Sequence, residues 1–182
     1  MTMIWYEVFP VTLSSQQAIL IQPPCPPIIP PWMIQHQPAI HPNDRVVELL
    51  MTFFGSVFQP EKAIVHSTSW RYECVYDQLL LTYVAVLPQG DWMKHWVATE
   101  RIVIEPIGTR EICYGDHLAP PERLERDHIL AHALDHLASL STYDPAIQAV
   151  LEPEWSAVLR PRTCRPAGCL TRELQSVVSP AT

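Results

Sequence analysis

Eight prolines fall between residues 23 and 42, and they constrain this chain more than any other feature. Proline fixes φ and lacks an amide hydrogen, so this stretch can be neither a helix nor a central strand. Extended polyproline II backbone is its favoured local state. A plain linker has no use for large apolar groups, yet Ile28, Ile29, Trp32, Met33 and Ile34 sit among these prolines. The segment 23–42 is therefore expected to cross the core as an extended strap, with Ile28, Ile29 and Trp32 buried. The alternative is a proline-rich ligand for an aromatic-lined groove on another protein.

The strap divides two kinds of pattern. Before it, residues 3–13 are rich in aromatic and β-branched side chains and read as a strand; Pro10 points to an edge or a bulge. Residues 18–22 supply its hairpin partner. After it, residues 44–58 form an apolar helix with Asn43 or Asp44 as cap and Pro60 as stop. Residues 62–72 and 78–87 make a second hairpin that turns near 74–78, with Leu79–Leu87 as a central strand. Residues 88–99 are a loop or short helix, 101–105 a strand, and 109–114 one more. A long helix spans 122–141 after two prolines, and shorter ones start at Pro145 and Pro153. Beyond Pro161 only 170–178 looks capable of order. The fold class is α+β: a mostly antiparallel sheet of two hairpins plus one or two strands, packed by a buried helix and a C-terminal helical region.

With 182 residues the chain suits one domain, 1–159, followed by a tail, 160–182. The tail carries four arginines against Glu173 and is expected to be basic and mobile. Residues 1–159 hold eight cations against eighteen acids, a net of −10. Such a body disfavours nucleic acid, whose phosphates demand cations. Apolar residues at 48% exclude a disordered chain, and five glycines leave little for a phosphate-cradling loop. The five cysteines are too scattered for a disulfide framework or a zinc site. No basic, cleavable leader opens the sequence, and no apolar run could span a bilayer. The expectation is a reduced, soluble, cytoplasmic protein with no membrane partner.

Two groups of residues could carry chemistry. His128, His132 and His136 recur every four residues on the long helix and share one stripe. Two imidazoles so spaced can converge on one metal ion, with His66, Asp116 or His117 as a further ligand. However, the apolar face is centred about 165° around the axis from His128, so the stripe is expected to be a solvated face. There is also no H-E-x-x-H motif to supply a general base. The second group is His66-Ser67-Thr68-Ser69-Trp70-Arg71-Tyr72. Strand alternation puts His66, Thr68, Trp70 and Tyr72 on one face and Ser67, Ser69 and Arg71 on the other. A ligand could meet His66, Ser67, Ser69, Trp70 and Arg71, with Arg71 gripping a carboxylate or phosphate. No G-x-S-x-G elbow supports a serine nucleophile. Trp70, Tyr72, Trp92 and Trp96 lack the cations of a phosphate-tracking groove, so core or interface packing is their expected use.

The strand pair HSTSWRY…LTYVAVLP (His66–Pro88), followed by the helix DHILAHALDHLASL (Asp127–Leu140), resembles a group of bacterial proteins with no established activity. That resemblance implies a bacterial domain and no mechanism. The reading that emerges is a module that binds a small ligand or a partner protein without catalysis and without a cofactor. The alternative is a metal-dependent hydrolase with zinc or another divalent ion on His128 and His132. Homo-oligomerisation is left open.

Overall fold

The computed structural model describes residues 2–24, 32–73, 75–108 and 126–162. Strands β1 (Met3–Ser14) and β2 (Gln17–Gln22) form the first hairpin. Its two turn residues, Ser15 and Gln16, both take positive φ, 50° and 65°. That sign pattern matches the right-handed twist of the strands, although neither residue is glycine or asparagine. Strand β3 (Met33–Gln35) belongs to the strap and pairs antiparallel with Trp5–Glu7 of β1. Trp32 is buried just before it: its indole donates to the Ile21 carbonyl at 3.0 Å and its ring stacks on Phe54. The strap thus crosses the core at this point, while Ile28 and Ile29 lie outside the described residues.

Helix α1 (Pro42–Phe54) starts and stops earlier than its apolar pattern suggests. His41 is the N-cap, with Nδ1 accepting from the Asn43 amide at 3.3 Å, and Pro42 occupies the first turn. Gly55, at φ 56°, ends the helix, and a single 3-10 turn carries the chain to Phe58. The second hairpin follows as β4 (Ile64–Glu73) and β5 (Gln78–Val86), antiparallel as expected. Then come α2 (Asp91–Ala98), β6 (Val103–Pro106), α3 (Arg126–Tyr143), α4 (Pro145–Val150) and α5 (Trp155–Leu159). The strand expected at 109–114, the helix start at 122–125, the tail segment 170–178 and all five cysteines lie outside the described residues.

The sheet runs β4-β5-β1-β2-β6, with β3 beside β1. All its pairings are antiparallel except β1 with β5, which run parallel from Met3↔Gln78 to Val11↔Val86. β1 is therefore an interior strand, and Pro10 marks neither an edge nor a bulge. On the side away from β5, β1 pairs with β3 at Trp5–Glu7 and with β2 from Val11 onward. Pro10 falls in the gap between those partners, where its missing amide breaks no ladder bond.

Apolar layers form on both faces. One face packs Tyr6, Val8, Tyr83 and Ala85 against Val46, Leu50 and Phe54 of α1 and Trp96 of α2. The other packs Phe9, Val11, Ile64, Val84 and Val86 against Leu130, Leu134 and Leu137 of α3 and Trp155 of α5. Among the described residues, no helix is long and apolar enough to cross a membrane.

Candidate functional site

The site residues are arranged by a β-bulge in β4. Register with β5 pairs Ser67 with Tyr83 but Ser69 with Thr82, so one extra residue, Thr68, enters the strand. Every side chain beyond it changes face. His66, paired with Val84, and Arg71, paired with Leu80, consequently share the α3 side of the sheet. Trp70, paired with Leu81, joins Ser67 on the α1 side. This corrects simple alternation, which puts His66 and Trp70 together. The five candidate ligand contacts are thus divided between two faces: His66, Ser69 and Arg71 on one, Ser67 and Trp70 on the other.

Arg71 already grips a carboxylate of the protein itself. Its two terminal nitrogens meet Glu7 Oε2 at 2.6 Å and Oε1 at 3.0 Å. Thr82 Oγ1 lies 3.3 Å from Nη1, and Glu73 Oε1 lies 3.5 Å from Nε. A bidentate pair of this kind fixes β4 to β1 across β5.

His66 meets the histidine stripe of α3. The His66 and His136 rings lie 5.3 Å apart with planes 19° from parallel, and their Nε2 atoms are 3.4 Å apart. His132 is only 7% exposed, so the stripe is not a solvated face. Its ring is hydrogen-bonded to the backbone of Thr68, the bulge residue, while Nδ1 is buried without a partner. Helix α3 is covered on both sides, by the sheet on one and by α4 and α5 on the other. Residues off its apolar stripe are buried for that reason, Ala131 and His132 among them. His128 stands half-buried near the start of the helix.

Burial holds all three imidazoles below the usual histidine range. For His66 the loss of solvation is partly offset by Asp144. For His132 it is partly offset by the Thr68 backbone and Asp135. For His136 the neighbouring His66 and His132 depress it further. Burial thus favours the neutral form of His66, His132 and His136. Among the described residues no three His, Cys, Asp or Glu side chains are grouped to hold a metal ion. Asp116 and His117 lie outside the described residues.

A second feature lies at the far end of the same hairpin. Trp70, Tyr72, Val75 and Tyr76 are exposed there, with Met3 of β1 beside them. The turn under them is pinned: Asp77, at φ 47°, accepts from Thr2 Oγ1 and from the Tyr72 hydroxyl, each at 2.9 Å. Those bonds, Thr2 first, hold the Asp77 carboxyl below its usual range. Only Trp70 of this group stands among the ligand contacts expected from sequence. Val75 and Tyr76 carry a readable signal, two large apolar residues in a turn where polar ones are the norm.

No family model matches the sequence, and no curated protein matches it. Solved structures do share its architecture. NrtR of Shewanella oneidensis superposes with a TM-score of 0.54 at 13% identity, over 97% of this chain and 84% of that one. The same protein complexed with a 27mer DNA gives 0.50 at 12% identity, over 96% and 81%. A MutT/nudix family protein from Enterococcus faecalis gives 0.47 at 14%, over 87% and 73%. The likeness is one of fold, shared with NrtR; at such identity it assigns no family and no activity.

Proposed function

We propose that the protein is a binding module that performs no chemistry and engages a partner protein through the exposed end of the β4–β5 hairpin. The observation that carries this reading is the exposure of Trp70, Tyr72, Val75 and Tyr76 around a turn whose Asp77 accepts from Thr2 and Tyr72. Large aromatic rings bring much contact area for few rotatable bonds, which is why Trp and Tyr anchor interfaces. β4 is also the terminal strand of the sheet among the described residues, so an extended partner segment can lie along it. Glu73 and Asp77 beside the rings favour a partner with apolar and cationic side chains.

The alternative of a metal-dependent hydrolase on His128 and His132 gains no support from the geometry. His132 is buried and bonded to Thr68, and the described residues offer no third ligand. NrtR has been captured with DNA. Carrying that role to this chain would demand a cationic face; residues 1–159 are net acidic, and the four arginines of 160–182 are the cations concentrated in one segment.

Photocrosslinking tests the proposal. A photoreactive residue introduced at Tyr76 should join the chain to one discrete protein in cells, and the same residue at His95, on α2, should not. Equal labelling from both positions, or crosslinks to nucleic acid alone, would overturn it.

A further inference from the structure

We propose that the seam between α3 and β4 is an acid-sensitive clasp: the neutral imidazoles of His66, His132 and His136 hold the helix on β4, and their protonation releases it. Three histidines from two elements meet at this one seam, and two of them touch through Nε2. The neutral pair is satisfied when one Nε2 donates and the other accepts. A first proton can enter at an Nδ1 and leave that bond intact. A second turns both Nε2 atoms into donors facing each other. His132 is more restricted, because a proton on its buried Nδ1 meets no acceptor.

The charged groups around the seam compensate only in part. From α3, Asp135 pairs with Arg162, which follows α5, at 3.2 Å. From α4, Asp144 caps its own helix, accepting from the Ala146 amide at 2.8 Å and the Ile147 amide at 3.4 Å. From β4, Arg71 adds a positive charge already committed to Glu7. From β5 and β1 the apolar layer supplies Val84, Val86, Phe9 and Val11, and Glu7, the carboxylate of β1 on this side, is the partner of Arg71. His128 adds a fourth imidazole toward the start of α3. Each carboxylate near the cluster is therefore engaged before a proton arrives. The depressed basicity of the three rings agrees with this arrangement. A group that is harder to protonate in the closed state than in the open state favours closure above its ordinary pKa of 6.5. Closure weakens as pH falls through that value.

Amide exchange reads the seam directly. Protection factors, corrected for the intrinsic pH dependence of exchange, are compared at pH 7.5 and 5.5. Residues 64–68 and 129–138 should lose at least about threefold, because the open state takes up protons that the closed state resists. The β1–β2 ladder should lose less. A His66→Gln, His136→Gln double variant should show a smaller drop in these segments. Should that variant not fold, His66→Gln alone, a change at a half-buried strand position, serves the same comparison. Unchanged protection in the wild type, or an undiminished drop in the folded variant, would overturn the clasp.

Discussion

His66 Nε2 lies 3.4 Å from His136 Nε2, across the seam between β4 and α3. The two residues are 70 apart in the chain. Their meeting joins the two groups of candidate residues that the sequence presents separately. It also makes the histidine stripe part of an interface.

Global stability should therefore fall on mild acidification. Burial depresses His66, His132 and His136 in the folded state, so the unfolded chain binds more protons as pH drops. Their contribution is complete above about pH 7.5 and is lost as pH falls through 6.5. Urea midpoints measured between pH 7.5 and 5.5 should decline, by at most about 1.4 kcal/mol per pH unit for each histidine. A flat profile would contradict this.

His132→Ala separates a buried residue from a solvated one. Loss of a packed ring, together with the bond to Thr68, should cost about 2 kcal/mol or more. A solvated position would cost no more than about 0.5 kcal/mol. Adding zinc to tag-free protein should leave the melting temperature of the wild type unchanged. A clear upward shift would instead restore the metal reading.

Val84 sits fully buried between His66 of β4 and Phe9 of β1. Val84→Asp places a carboxylate there with no counter-charge in the apolar layer, at a cost of several kcal/mol. Circular dichroism should show an unfolded or aggregated chain. A folded variant with a native melting curve would refute the pairing of these strands.

Arg71→Met strands the Glu7 carboxylate, since both side chains are only 15% exposed. The single variant should lose about 3 kcal/mol, and Glu7→Gln with Arg71→Met should recover much of that. Additive losses in the double-mutant cycle would show that the pair is not coupled.

Much of the fold is legible in the sequence, and its failures have identifiable causes. Both hairpins, the helical region after residue 126 and the burial of Trp32 follow from periodicity and local chemistry. The parallel pairing of β1 with β5 does not, because it joins residues 75 apart in the chain. Pro10 misleads because a proline in an interior strand is tolerated only where two neighbouring strands leave a gap. The bulge at Thr68 has no local signature, yet it decides which of His66, Trp70 and Arg71 share a face. The histidine stripe misleads because a helix packed from two sides no longer keeps its polar face in water.

The exposed rings give the most direct test of the binding proposal. With the partner found by crosslinking at Tyr76, its dissociation constant is compared for the wild type, Trp70→Ala and Met51→Ala. Met51 is equally exposed but lies on α1. Trp70→Ala should weaken binding by at least about 30-fold, the loss expected of an interface anchor, and Met51→Ala should leave it unchanged. Equal affinities for all three would contradict the assignment of the hairpin end as the binding surface.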